Sequence, residues 1–261
     1  MLPMKIKPNK LRKHVLDMIH DKQSGHIGGS FSLAEVVSYL YNNYNLVEDN
    51  KDKIILSKGH AVPILYAALY ELGLIETLDD FREVNSKLQG HPDKTRLKYM
   101  HATTGALGQG LSIGIGHALA YRLKSETSKV FCILGDGEIQ EGQVWEALML
   151  APKYKLDNLY CIIDHNKSQN DGLVENILSL GDLESKVKSF GWNVIRINGH
   201  DMSQIEIAFS IKQNGKPTCI LMDTVKGSGV EFMQTPEWHA KAPSDEEYKK
   251  AIEEIGYESN S

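Results

Sequence analysis

Apolar residues recur at spacings of three and four through 8–22 and 33–45, which predicts a helix over each stretch. Between them, 24–30 is a glycine-rich turn that carries His26. The short run Lys53-Ile-Ile-Leu56 is a strand candidate ending at Ser57-Lys58-Gly59-His60, and 61–73 returns to helix. Residues 86–104 show no period and hold Gly90, His91, Pro92 and His101; a loop of that length in a compact domain is usually functional or disordered. From Gly105 to Lys124 the chain reads as a helix crowded with small residues (Gly108, Gly110, Gly114, Gly116, Ala118, Ala120). Glycine costs about 1 kcal/mol relative to alanine inside a helix, so several together predict close packing against another backbone.

Apolar runs at 130–134 and 159–163 predict two further strands with a helical segment between them. Strands are also predicted at 193–197 and 218–223, separated by a helix over 203–213. After Lys226 the chain turns irregular, then closes with SDEEYKKAIEEIG, a charged helix read as a solvated face or packing arm. Alternating strands and helices predict an α/β fold, a mainly parallel sheet with helices on both faces. With no internal repeat, 1–261 is expected to be a single domain whose segment 226–261 is largely irregular. Right-handed crossovers gather the loops that follow the strands along one edge, and 57–60, Asp136 and Asn166 should meet there.

Hydrophobic residues make up 41% and charged residues 24% of the chain, an ordinary soluble balance. A net charge of −5 gives no electrostatic reason to expect nucleic acid or an anionic membrane as partner. No apolar run approaches the roughly 20 residues of a membrane helix, and MLPMKIKPNK has no apolar core behind it to make a signal peptide. Cys132, Cys161 and Cys219 all lie in apolar strand-like runs and read as small buried hydrophobes. Their odd count and unpaired spacing fit a reducing cytoplasm.

The candidate chemistry centres on Gly135-Asp136-Gly137, with Asn166 closing the next strand. In a β-α-β unit these place a carboxylate and an amide side by side at the carboxyl ends of two parallel strands. Their oxygens suit Mg²⁺, which commonly completes an octahedral shell with phosphate oxygens and water. The glycines let backbone approach a polyphosphate. Gly-Asp-Gly alone could be a surface turn; the flanking strand, helix and Asn point instead to a metal-bridged diphosphate cofactor. A lone histidine is usually surface or satisfied, the reading given to His14, His20, His117 and His200, with His165 a mere neighbour of the ligand. His26, His60, His91 and His239 stand in irregular segments and are candidates for proton or hydroxyl contacts. GQGLSIG resembles a dinucleotide loop only weakly, since no apolar strand precedes it. There is no HExxH or CxxC, so a zinc site is not expected.

The segments SGHIGG (24–29), LSKGHA (56–61), GHP (90–92), TTGALGQGLS (103–112), GDGEIQEGQVWEA (135–147), DHNKSQNDG (164–172), FGWNVIRINGHD (190–201), VKGSGVEFM (225–233) and EWHAKAP (237–243) carry a resemblance over nearly the whole length. The chain resembles the amino-terminal, diphosphate-binding part of transketolase, most closely the version encoded as a separate N-terminal subunit. The resemblance implies a thiamine-diphosphate-binding fold, with thiamine diphosphate and Mg²⁺ (Ca²⁺ or Mn²⁺ as substitutes) as cofactors. It implies Asp136, Asn166 and the backbone carbonyl of Ser168 as metal ligands. The cofactor would be bound by His60, Gly105, Leu107, Gly135, Asp136, Gly137, Glu141, Asn166 and His239. Catalytic roles would fall to His26, His60, His91, His239 and Glu141, with His26 and His91 bonding the hydroxyls of a sugar or sugar-phosphate. Glu141 has two readings: a helix-start carboxylate worth about 0.3–1 kcal/mol, or a residue facing a subunit interface.

The reaction implied is transfer of a two-carbon ketol unit from a ketose to an aldose, with the cofactor as electron sink. The glutamate that activates the pyrimidine ring belongs, in this family, to a pyrimidine-binding domain. That domain is expected on a partner, the C-terminal transketolase subunit, in an α₂β₂ heterotetramer; the end of the chain is expected to be a natural subunit end. Ala106, His101 and Ala240 depart from the family pattern in the expected cofactor and substrate neighbourhood, which keeps open a dedicated role on an unusual or activated sugar. Other readings are the α subunit of a 2-oxoacid dehydrogenase or decarboxylase, which shares GDG and Asn, and a non-catalytic scaffold.

Overall fold

The structure is a computed structural model that describes residues 5–170, 172–211 and 215–256. Pro8 opens helix α1 (Pro8–Lys22), where its fixed φ and missing N–H cost nothing. The single-turn α2 (Gly28–Phe31) and α3 (Ala34–Asn43) follow, then β1 (Lys53–Leu56), a 3₁₀ turn (Gly59–Ala61) and α4 (Pro63–Glu71). After a long irregular stretch come α5 (Gln109–Leu123), β2 (Val130–Gly135), a 3₁₀ turn (Gly137–Gln140), α6 (Gly142–Lys153) and β3 (Leu159–His165). A small hairpin, β4 (Ser168–Gln169) and β5 (Gly172–Leu173), leads to α7 (Val174–Leu178) and α8 (Leu183–Ser189). The chain continues through β6 (Asn193–Asn198), α9 (Met202–Ser210) and β7 (Thr218–Asp223), and ends its described part in α10 (Asp245–Ile255).

The five main strands form one parallel sheet in the order β1-β2-β3-β7-β6. Period-two alternation splits its side chains between two cores. Phe131, Ile133, Tyr160, Ile162, Ile220 and Met222 join the core under α1, α3, α4 and α9. Cys132, Leu134, Cys161, Ile163, Cys219 and Leu221 join the one under α5, α6 and α8. The expected α/β architecture, parallel and covered on both faces, is the one the chain adopts. Since both faces are buried, the strands read as unbroken apolar runs. The three cysteines are free and buried, and they align in register across β2, β3 and β7. Among the described residues no helix is long and apolar enough to cross a membrane.

Several boundaries differ from expectation. The turn at 24–30 contains the start of α2. α5 begins at Gln109 rather than Gly105, because Gly105 (φ 146°) and Gly108 (φ 79°) hold conformations outside a right-handed helix. α9 ends at Ser210, and 212–214, which include the end of the expected helix, lie outside the described residues. The segment from 226 holds two 3₁₀ turns besides α10. α10 is a packing arm: a Ser244/Glu247 capping box starts it, Ala251 and Ile255 are buried, and Tyr248 donates to Asp17 of α1 at 2.8 Å.

Two glycines of α5 explain its closeness to the sheet. A Cβ at Gly110 would lie 2.5 Å from Ser57 Cβ, and one at Gly114 only 2.1 Å from Cys132 Sγ. Gly116, by contrast, is exposed and would meet nothing within 4 Å. Gly114→Ala should therefore cost about 1–3 kcal/mol by overpacking, whereas Gly116→Ala should stabilise by about 0.5–1 kcal/mol. Urea unfolding of both variants checks the opposite signs.

Candidate active site

Strands β2 and β3 end in register, with Gly135 beside Asp164, so Asp136 and Asn166 leave the sheet next to each other. Asp136 N–H donates to the Asp164 carbonyl at 3.3 Å. Asp136 then caps the following 3₁₀ turn, its Oδ1 accepting from Gly137 N–H at 2.8 Å, while Oδ2 accepts from Lys167 N–H. Asn166 Oδ1 accepts from Ser168 N–H at 3.1 Å, and Nδ2 donates to Asp164 Oδ2 at 2.9 Å. A carboxylate on one side and an N–H on the other leave the amide only one orientation.

Asp164 is fully buried and is the hub of the strand exits. It accepts from Lys58 Nζ at 2.5 Å, Ser32 Oγ at 2.7 Å, Thr224 Oγ1 and Asn166. Burial alone would raise its pKa; the Lys58 charge and these hydrogen bonds hold it below the usual carboxylate range. A second buried carboxylate, Glu138, assembles the glycine turn. It accepts from Gly108 N–H at 2.7 Å, Gly135 N–H at 3.1 Å and Ser57 Oγ, and Ser57 Oγ accepts in turn from Gly110 N–H at 3.0 Å.

Three histidines from distant segments cluster opposite. The His26, His60 and His239 rings lie 5.0–5.2 Å apart, centroid to centroid. Lys226 Nζ sits 3.1 Å from His239 Nδ1. Burial, then the charge of Lys226, drives His239 down to about 3; burial, then Arg82, drives His26 down to about 4. Burial, then Lys58, puts His60 well below its ordinary value, and burial with Arg82 lowers His91. The cluster is thus neutral at physiological pH, able to donate and accept. Burial and the Lys58 charge also bring Lys226 down to about 8.

All twelve expected site residues line one cavity of about 440 Å³: His26, His60, His91, Gly105, Leu107, Gly135, Asp136, Gly137, Glu141, Asn166, Ser168 and His239. Glu141 stands at the N-cap of α6, exposed and without a capping hydrogen bond. The histidines expected to be satisfied have partners: His14 has Glu71, His20 has Asp245, His117 has the backbone of His101 and His200 has Glu35, while His165, the neighbour of the ligand, has Asp223. Of the three departures from the family pattern, Ala106 stands between the lining residues Gly105 and Leu107, Ala240 follows the lining residue His239, and His101 is turned to the backbone of edge strand β1, its Nδ1 3.0 Å from Ile54 N.

The cavity also holds residues to which the sequence assigns no role of their own, chiefly Lys58 (expected only as part of the 57–60 turn), Lys226 and Glu138, together with Asp164 beneath it. Lys58 and Lys226 lie inside the motifs quoted above, yet a lysine in a pattern reads as a surface residue. Only its burial, 2% exposed for Lys58 and 4% for Lys226, marks it as part of a site.

The side chains fit a cation bound together with an anionic ligand. Burial and nearby Asp164 push Asp136 up to about 6, a carboxylate whose ionised form a cation would restore. Ser168 Oγ and His26 Nδ1 are buried without hydrogen-bond partners. Among the described residues no three His, Cys, Asp or Glu side chains are grouped to hold a metal. A hard cation here would therefore draw part of its shell from the ligand's own oxygens.

Residues 5–261 match the family "Transketolase, thiamine diphosphate binding domain", to which the chain belongs. It is 37% identical to the apulose-4-phosphate transketolase subunit of Phocaeicola vulgatus, covering 97% of this chain and 93% of that protein. It is 38% identical to the 6-deoxy-6-sulfo-D-fructose transketolase subunit SqwG of a Clostridium species, covering 95% and 94%. The crystal structure of transketolase from Campylobacter jejuni superposes with a TM-score of 0.91 at 31% identity, over 100% of this chain and 44% of that one. The chain thus spans under half the length of the solved transketolases it matches.

The lowered histidines fix a pH dependence. A buried neutral His binds its proton less readily when folded than when unfolded, so unfolding takes up protons below about pH 6.5. Stability contributed by His26 and His239 is whole above that value and declines as pH falls toward about 4 and 3. Asp136, raised to about 6, works in the opposite direction but is outnumbered. Unfolding free energy in urea, without added metal, should fall between pH 7 and pH 5; a flat profile would contradict neutral buried imidazoles.

Proposed function

We propose that this chain is the N-terminal subunit of a two-component, thiamine-diphosphate-dependent transketolase that moves a two-carbon ketol unit between sugars. The observation that carries the reading is the convergence of twelve side chains and glycines, drawn from separate motifs, on one cavity at the strand exits. The relatives matched end to end are named as subunits, which supports a partner chain carrying the pyrimidine-binding part, in a two-fold α₂β₂ assembly. Their names also specify a phosphorylated and a sulfonated sugar. The substrate proposed here is accordingly a modified ketose with an anionic group, rather than one required by central metabolism. Three unpaired cysteines support work in a reducing compartment such as the cytoplasm.

In this reading Asp136, Asn166 Oδ1 and the Ser168 carbonyl hold Mg²⁺, with Ca²⁺ or Mn²⁺ as substitutes. Lys58 and Lys226 offset the charge of the diphosphate, and Gly135 and Gly137 leave room for it. Thiamine diphosphate, when bound, supplies an electron sink for the ketose carbon skeleton. Lys226 donates to His239 Nδ1, so the His239 ring proton resides on Nε2, available to a ligand oxygen. His26 and His91, kept neutral, accept or donate at substrate hydroxyls as protons shift, while His60 contacts the cofactor beside His239. Glu141, at the cavity rim, faces the partner.

Two outcomes follow. The purified chain alone should show no ketol transfer, with activity appearing on addition of the partner chain; substantial turnover by the chain alone would overturn the two-component assignment. Asp136→Ala should abolish Mg²⁺-dependent retention of thiamine diphosphate in the complex, read by calorimetry, and unchanged retention would refute the ligand assignment.

A further inference from the structure

His200 lies outside the cavity, yet it holds the segment that forms one wall of it. Segment 225–229 carries Lys226 into the cavity. Gly227 N–H of that segment donates to the Gly28 carbonyl at 3.0 Å. On the other side Val225 N–H donates to His200 Nε2 at 2.9 Å. His200 Nδ1 lies 3.0 Å from Glu35 Oε2, and Glu35 receives Arg12 Nη2 at 2.7 and 2.8 Å. The backbone of His200 is fixed as well, its N–H donating to Asn198 Oδ1 at 3.0 Å just after β6.

These contacts define a protonation state. The Glu35 carboxylate can only accept, so the ring proton belongs on Nδ1. Nε2 is then the bare acceptor that Val225 N–H requires. One neutral tautomer satisfies both neighbours, and protonating Nε2 would set two N–H groups against each other. The groups facing the ring are Glu35 from α3, with Arg12 of α1 behind it, and Val225 N–H and the Ser228 hydroxyl (3.4 Å from Nδ1) from the clasped segment.

We propose that His200 is a positioning residue for the cofactor cavity. By clasping Val225 it fixes Lys226, and through the Lys226 Nζ–His239 Nδ1 contact it fixes the His239 ring. The clasp stands on geometry alone; its consequence for ligand binding rests on the thiamine-diphosphate reading above. Loss of the clasp should free the 225–229 segment and loosen ligand binding.

Full-length wild type, His200→Gln and His200→Ala test this. Glutamine supplies both an acceptor for Val225 and a donor for Glu35, and alanine supplies neither. Long-range ¹⁵N correlations of the wild-type ring at pH 8 should show the proton on Nδ1. Exchange of the Val225 amide should accelerate about tenfold in His200→Ala, the effect of one lost hydrogen bond, and recover in His200→Gln. Affinity for thiamine diphosphate with Mg²⁺, by calorimetry on the complex with the partner chain, should match between wild type and His200→Gln and weaken about tenfold in His200→Ala. A proton on Nε2 at pH 8, unchanged Val225 exchange in His200→Ala, or equal ligand affinity in wild type and His200→Ala would each overturn the proposal. Absence of any thiamine diphosphate binding by the wild-type complex would defeat the functional reading, while tautomer and exchange would still decide the clasp.

Discussion

The site is built around a buried ion pair, Lys58 with Asp164, at the mouth of the parallel sheet. Neither charge reaches solvent appreciably, the side chains being 2% and 0% exposed. A buried pair is tolerable only when the remaining lone pairs are also satisfied, and Asp164 meets that condition with donors from four places: Lys58 after β1, Ser32 after α2, Asn166 after β3 and Thr224 after β7. Removing either charge would strand the other in a dry interior. The pair thereby fixes the orientation of the Asn166 amide, and with it the oxygen offered to a cation. The Lys58 stem also passes over Gly135, where a Cβ would stand 3.6 Å from Lys58 Cδ. A glycine there keeps the path to the cavity floor open.

From this pair the cavity divides into two electrostatic halves. Along the strand exits are oxygens: Asp136, Asn166, Ser168 and the backbone of the Gly135–Gly137 turn. Opposite are imidazoles that burial and nearby Lys58, Arg82 and Lys226 charges keep neutral. An anionic ligand bridging the halves would satisfy both, giving the cationic groups a partner and leaving the imidazoles as uncharged hydrogen-bonding groups. Glu138 serves the same arrangement from below. It ties the loop before α5 to the end of β2, so the glycine turn and the Asp136 turn act as one rigid floor.

Much of this is legible in the sequence, for identifiable reasons. Fully buried parallel strands leave apolar runs, so the pattern marks β2, β3 and β7 nearly to the residue. Gly135, Asp136 and Asn166 are readable because their roles are local: each closes or follows a strand, and strand exits in such folds share one edge. The start of α5 is not readable, because the four residues before it include two glycines whose positive φ no pattern reveals. The resemblance puts His101 in the ligand's neighbourhood, yet its ring bonds the backbone of edge strand β1. His200 reads as a satisfied histidine, and it is one; which partners satisfy it gives it its bearing on the cavity.

By itself the sequence determined the elements, their layering and the local chemistry of the strand tips, since periodicity and turn residues act over a few positions. Only the tertiary structure decided that β7 lies between β3 and β6, which aligns Cys132, Cys161 and Cys219 in one row and brings Thr224 to Asp164. It alone turned Lys58, Lys226, Asp164 and Glu138 from apparent surface charges into the frame of the site. The physical reason is that a charge can be buried only against a partner, and these partners lie up to more than a hundred positions away along the chain.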